Sequence, residues 1–307
     1  MSKKVELKNN IRYVKIPNVS GFDINKTFDC GQCFRFDKVE NSTHEIEFSG
    51  IAFGKFVSFA QDGKDLYIYN TDHNEYESLW KHYLGLDIDY SLIQKDIVSR
   101  SDNPSLKLAL DFGDGIRILA QDKWEAVCSF IISQNNNIPR IKKIIETLSK
   151  NCGSPVELPT GYEKHLSGLS SLYSFPPPEA VLSLGVEGIF ALKTGFRAKY
   201  IFDAAKRVVN GTLDLERISN LDNTDEAIKA LCEVKGIGPK VASCALLFGF
   251  ERYDAFPIDV WIKKVIAKYF TNDGGTAFDH TSLGEYAGIA QQYLFYYERY
   301  GGYKENT

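Results

Sequence analysis

No long apolar run occurs in this chain. Its start, MSKKVELKNNIRYVKI, is polar, without the apolar centre of a signal peptide, and no later stretch approaches the ~20 apolar residues a membrane span needs. A soluble, intracellular protein with no membrane partner is the expectation. Cysteine is scarce, six in 307 residues, which is too few for the disulfide framework of a small secreted scaffold. The five histidines form no H-x-x-x-H pair, and Cys30 and Cys33 are the one C-x-x-C, so a four-ligand zinc site has no second half. Repeats and low-complexity segments are absent. So is a general surplus of basic charge: the net charge is −4 and the pI about 5.8, which argues against an indiscriminate binder of polyanions. Residues 117–270 nevertheless hold 20 Lys and Arg against 17 Asp and Glu, so the acidic average permits a locally basic face.

What is present suits a large core. Hydrophobic residues make up 44% and aromatics 13% of the chain, and the length favours two domains. The first third is β-rich. IRYVKI, CFRFDKV, HEIEFSGIAF, KFVSFAQ and DLYIYN are short, aromatic and β-branched, broken at ENST and QDGKD, as in an antiparallel sheet. Two helices are expected near Glu75–Leu84 and Tyr90–Ser99, then a turn at DFGDG. Beyond it the apolar period becomes helical: Trp124, Val127, Cys128 and Ile131 share one face, and Ile141, Ile144, Ile145 and Leu148 another, stopping at Gly153. SFPPPEAVLSL, RAKYIFDAAKRVV and NTDEAIKALCEV read as further helices. The expected fold is α+β, an antiparallel β domain over residues 1–116 followed by an all-helical domain over 117–307.

Cys30-Gly31-Gln32-Cys33 could be a redox pair, half a metal site, or neither. Cys33 runs into a strand-like alternation rather than opening a helix, which disfavours a thioredoxin-like role.

The segment LCEVKGIGPKVASCALLFGF carries more information. A helix ends near Val234, KGIG turns, and Pro239 suits the first turn of the next helix. Such a helix-hairpin-helix, over about residues 224–250, aims free N–H groups outward and can hold a phosphate; an ordinary helix–turn–helix corner is the alternative that G-x-G leaves open. Lys240 stands at the start of that helix, where the dipole and any burial disfavour the ammonium form. A lysine so placed can serve as an amine nucleophile, or simply contact phosphate. Nineteen residues on, Asp259 follows Pro257 and precedes an amphipathic helix. It suits an N-cap, and a capping carboxylate facing a cleft can also stabilise positive charge.

Taken together, G-x-G, Lys240 and P-x-D resemble the helix-hairpin-helix (HhH-GPD) DNA glycosylase superfamily. Further segments narrow the likeness to its 8-oxoguanine DNA glycosylases: CGQCFRF is similar to S-G-Q-S-F-R-W, SFIISQNNNIPRI to S-F-I-x-S-x-N-N-I-x-R-I, TGFRAKY to G-Y-R-A-R-Y, and AGIAQQYLF to A-G-x-A-Q-x-x-L-F. The resemblance runs from about Thr27 to Phe295. It implies a TBP-like N-terminal sheet and a bifunctional glycosylase/AP lyase that flips 8-oxoguanine, preferentially opposite cytosine, out of duplex DNA.

By the same resemblance, Lys240 is the nucleophile and Asp259 its electrostatic partner. The Gly31 carbonyl would accept the N7 hydrogen that oxidised guanine has and guanine lacks, Cys244 and Phe295 would sandwich the base, and Gln291 would bind its Watson–Crick edge. Asn135, Arg140, Phe196 and Arg197 would attend the orphaned cytosine. Gly236, Gly238 and Val241 would face phosphates, with Trp261 near them. Carbonyls of Cys232, Val234 and Ile237 could hold a monovalent or calcium ion, while the chemistry needs neither metal nor cofactor. The flanking Cys30 and Cys33 need only be small, reduced thiols. A monomer acting on double-stranded DNA is implied.

Two departures matter: Phe196 replaces a frequent tyrosine, which weakens strict cytosine preference, and Trp261 replaces a phosphate-side histidine. The rivals are an alkylated-base glycosylase of the same fold, which lacks the lysine, a non-catalytic DNA clamp, and a redox protein.

Overall fold

A computed structural model of the chain describes residues 6–8, 11–166, 172–270 and 278–301. Six strands, β1 (Glu6–Lys8), β2 (Ile11–Ile16), β3 (Phe36–Lys38), β4 (Ile46–Ala52), β5 (Lys55–Asp62) and β6 (Asp65–Tyr69), form one sheet in the order β1-β2-β6-β5-β4-β3. Every pairing is antiparallel, and the register sets Phe48 opposite Phe59 and Phe59 opposite Ile68. Alternation then sends one set of side chains to each face. Val57, Phe59, Leu66 and Ile68 pack with Phe28, Trp80 and Tyr83 on one side. On the other, Phe56 and Ile11 meet Tyr162, whose hydroxyl accepts from Arg12 N and donates to Arg12 O.

The helices include α1 (Ile24–Phe28), α2 (Tyr90–Arg100), α3 (Pro104–Phe112), α4 (Lys123–Ser133), α5 (Ile138–Cys152), α6 (Ala198–Val209), α7 (Thr224–Cys232), α8 (Pro239–Gly249), α9 (Val260–Val265) and α10 (Ala287–Tyr300). The apolar faces read from α4 and α5 are both buried. Helical turns also run from His73 to Tyr83, with Tyr76, Trp80 and Tyr83 inward.

Helix α3 was not expected from the sequence. Asn103 caps it by accepting from Ser105 N and Leu106 N, and Pro104 opens its first turn. Ile93 and Ile97 of α2 and Leu106, Ala109 and Leu110 of α3 lie in the same core as α4, α8 and α10. Packing therefore groups these two helices, which precede residue 116, with the helical body rather than with the sheet.

Candidate active site

The turn between α7 and α8 is shaped by two glycines with different duties. Gly236 has φ +85°, and a Cβ there would lie 2.3 Å from the ring of Tyr200 on α6, so both its backbone and its packing demand glycine. Gly238 caps α8 at φ −103°, and a Cβ on it would meet nothing within 4 Å. The first glycine fastens the hairpin to its own protein; the second leaves the N-terminus of α8 open. Pro239 lacks an N–H, so the unpaired donors of that first turn begin at Lys240 and Val241.

Lys240 is half-buried at the head of α8, one turn ahead of the buried Cys244. Burial pushes the Cys244 thiol up, the neighbouring Lys240 draws it down, and Asp259 adds to the rise. All three groups therefore share one small region. Asp259 caps α9 as expected, its Oδ1 accepting from Trp261 N at 2.9 Å and Ile262 N at 2.8 Å. Capping fixes the carboxylate while leaving Asp259 on the wall of a cavity.

That cavity, of about 780 Å³, is lined by Lys240, Asp259, Gly31, Cys244, Gln291 and Phe295, and falls within the usual size of a ligand site, ~300–1,000 Å³. Asn135, Phe196, Gly238, Val241 and Trp261 also border it. Gln291 is 4% exposed, and among the described residues its Oε1 has no hydrogen-bond partner. A buried amide oxygen without a donor costs about 1–3 kcal/mol, which a bound donor would recover. Phe130 stacks on Phe248 at 5.3 Å and meets Phe34 edge-on at 5.8 Å, and all three rings line the same cavity, making that part of its wall apolar.

Gly31 reaches the cavity from the other domain. Its φ is +80°, and a Cβ would sit 3.7–3.9 Å from Arg299, Ile138 and Phe295; conformation, not crowding, selects glycine here. Gln32 pins the loop. Its Nε2 donates to the carbonyls of Thr27 at 2.8 Å and Arg117 at 2.7 Å, and its Oε1 accepts from Leu119 N at 2.8 Å. Gln292 Nε2 donates to the Cys30 carbonyl at 2.9 Å. Neither glutamine's role was read from the sequence. Gln32 lies inside the quoted motif, but its partners Arg117 and Leu119 are more than eighty residues away.

Cys30 and Cys33 are buried free thiols. Burial pushes Cys30 up to about 12 and raises Cys33 further, which suits inert small residues rather than a redox pair.

The three asparagines divide their work. Asn137 caps α5 by accepting from Arg140 N at 3.0 Å, and Asn136 Nδ2 donates to Ile132 O at 3.0 Å. Asn135 is exposed at φ +46°, a left-handed conformation in which asparagine is the commonest non-glycine residue. Arg197 is not brought to the cavity wall. It is 2% exposed and donates to the carbonyls of Gln134, Asn135 and Thr194. Its guanidinium thus holds the Asn135 turn from beneath, and contact with an orphaned base through those same donors does not match this arrangement. Burial, then the nearby Arg140 cation, holds Arg197 below its ordinary value. Arg140 is exposed. Phe196 is 51% exposed, with the Arg197 guanidinium 4.4 Å from its ring centroid, and Lys264 Nζ lies 4.7 Å from the ring centroid of Trp261. At the hairpin, the Val234 carbonyl accepts from Ile237 N at 3.0 Å, and among the described residues no group of three or more His, Cys, Asp and Glu could hold a metal.

Comparison with known proteins agrees with this geometry. Residues 14–127 match the family model for the 8-oxoguanine DNA glycosylase N-terminal domain, and 128–281 that of the HhH-GPD superfamily base excision DNA repair proteins. The Arabidopsis thaliana N-glycosylase/DNA lyase OGG1 is 31% identical over 293 residues, 88% of this chain and 75% of that protein. The Clostridium acetobutylicum 8-oxoguanine glycosylase/lyase in its apo form superposes with a TM-score of 0.82 at 39% identity, covering 93% of this chain and 96% of that one. Its complex with double-stranded DNA containing cytosine opposite 8-oxoguanine gives 0.82 at 38%, covering 96% and 97%. The α+β architecture, the hairpin and these matches place the chain in the HhH-GPD superfamily of base excision DNA repair proteins, as a member of its 8-oxoguanine DNA glycosylase family.

Proposed function

We propose that this protein flips 8-oxoguanine out of duplex DNA, preferentially opposite cytosine, and excises it with Lys240 as nucleophile. The carrying observation is that Lys240 and Asp259 line the same cavity as Gly31, Cys244, Gln291 and Phe295, with an unpartnered buried amide oxygen on its wall. Lys240 Nζ attacks C1′, the C1′–N9 bond breaks, and the base leaves with its electron pair. The lysine nitrogen then expels O4′, which leaves as the C4′ hydroxyl on opening of the sugar ring, and the resulting C1′=N imine allows loss of a C2′ proton and expulsion of the 3′ phosphate. Asp259 opposes the positive charge that develops on the sugar. The base lies between Cys244 and Phe295, donates from its N1 and N2 edge to Gln291 Oε1, and gives its N7 hydrogen to the Gly31 carbonyl. Guanine would instead turn a bare N7 toward that carbonyl, acceptor against acceptor.

Asn135 enters the vacated stack, with Arg140 reading the orphaned base and Arg197 acting through the Asn135 turn. The open N-terminus of α8, from Gly238 to Val241, receives a phosphate, with Trp261 beside it. One chain supplies both walls, so a monomer suffices, and an intracellular location follows from the DNA it repairs. The reaction needs no cofactor. An ion at the hairpin would rest on the Cys232, Val234 and Ile237 carbonyls, where Ile237 N already occupies one lone pair of Val234.

Borohydride reduction on an 8-oxoguanine duplex is the test. A covalent protein–DNA band is expected from the wild type and lost in Lys240→Gln with DNA binding retained. A band that survives the substitution removes Lys240 from its role.

A further inference from the structure

Arg299 is a cation that the scheme above leaves idle. It lies one helical turn beyond Phe295 on α10 and lines the same cavity. A Cβ built on Gly31 would stand 3.7 Å from its NH1, so the guanidinium is the immediate neighbour of the Gly31 backbone. Its charge centre is 5.9 Å from the Phe295 ring centroid and 5.2 Å from that of Tyr300. Among the described residues it makes no ion pair or hydrogen bond, and its contacts are aromatic. A half-buried guanidinium with its donors unspent, at the wall of a site, is available to an acceptor that enters.

The chemistry of the base supplies that acceptor. If N7–H meets the Gly31 carbonyl, the two carbonyl oxygens that flank N7, O6 and O8, lie to either side of Gly31, where the guanidinium stands. Both gain charge in the reaction. When C1′–N9 breaks, the electron pair stays on N9 and spreads directly to O8 and, through C4=C5, to O6. Resting on the base-pocket reading of this cavity, we propose that Arg299 is a catalytic residue that donates to a carbonyl oxygen flanking N7 and stabilises the departing purine anion.

The balance is simple. The Lys240 N–C1′ bond forms as C1′–N9 breaks, the lysine nitrogen sheds a proton, and the base takes one up to leave neutral. The guanidinium keeps all its protons throughout, because it acts as a charge and a donor, not an acid. Asp259 and Arg299 then serve opposite ends of one breaking bond, the carboxylate toward the sugar cation and the guanidinium toward the base anion.

Abasic DNA provides the discriminating substrate, because it has no base to leave. Arg299→Gln should slow single-turnover excision of 8-oxoguanine about hundred- to thousandfold, the scale on which a preorganised donor to a developing anion acts. Cleavage of a preformed abasic duplex by the same variant should stay within about twofold of wild type, and Arg299→Lys should recover part of the excision rate. Undiminished excision in Arg299→Gln would overturn the proposal, as would an equal loss on abasic DNA, which would make Arg299 a support for the fold or for Lys240. A wild-type chain that neither excises nor traps would overturn the base-pocket reading, and the role of Arg299 with it.

Discussion

Gln292 on α10 donates to the carbonyl of Cys30 at 2.9 Å, tying the Gly31 loop to the helix that carries Gln291 and Phe295. The two edges of a bound purine would thus be gripped by groups one residue away from a shared hydrogen bond. Gln292→Leu removes the tie and leaves the Cys30 carbonyl buried without this donor. In a Lys240→Gln background, which on the proposed mechanism prevents turnover, the preference for an 8-oxoguanine duplex over an undamaged one should fall about tenfold, the worth of one well-placed hydrogen bond. An unchanged affinity ratio would show that the loop holds its place by other means.

The hairpin glycines should separate stability from binding. Gly236→Ala forces a methyl into the Tyr200 ring at a positive φ, and should destabilise the protein by about 2–4 kcal/mol in denaturant unfolding. Gly238→Ala faces open space at an ordinary φ. It should unfold like wild type yet bind duplex DNA about fivefold more weakly, since the methyl stands where the backbone would approach phosphate.

For the two cysteines, excision should survive Cys30→Ser and Cys33→Ser together, whereas stability should not be fully preserved. Cys30 Sγ donates to Thr27 O at 3.2 Å, a bond that serine can make. Cys33 packs in the sheet core among Phe36, Phe48 and Phe59, so a hydroxyl there is buried in apolar surroundings. A loss of about 1–2 kcal/mol is expected from that position alone. Failure of excision in a well-folded double variant would restore a chemical role to the thiols.

Glu125 gives stability a pH dependence. It sits on α4 beside Arg35, with 3.7 Å between Oε2 and NH1. Burial pushes its carboxyl up to about 7, against the pull of the arginine. A folded-state value above the unfolded one means the folded protein binds more protons between them. This contribution is therefore complete below the ordinary carboxylate range, about pH 4.3, and is lost as pH rises through 7. Glu125→Gln should flatten that decline by about 1–3 kcal/mol between pH 5 and 8, measured by urea unfolding at each pH.

Strands β2 to β6 were legible because they are rich in aromatic and β-branched residues, whereas β1, Glu-Leu-Lys, holds neither and gave no signal; α4 and α5 were legible because their apolar faces repeat without interruption. Helix α3 escaped because it is short and abuts the Gly113–Gly115 turn; Asn103-Pro104, a cap and an N1 proline, was the signal available. Lys240 and Asp259 could be found from local helix-start chemistry, and structure adds that they share a cavity. The roles of Gln32 and Gln292 depend on partners far along the chain, which no local pattern encodes. Arg197 shows the opposite failure: the motif marks it for DNA, while its donors turn inward to three backbone carbonyls.

That inward turn has a consequence for how damage is found. Most base pairs a repair protein meets are intact, and each encounter is brief. A probing asparagine on a slack turn would have to stiffen anew at every step along the helix, losing freedom each time. With the Gln134 and Asn135 carbonyls already clasped by Arg197, the stiffening is completed once, when the chain folds, and on the proposed role of Asn135 the wedge would arrive rigid at every pair it tested.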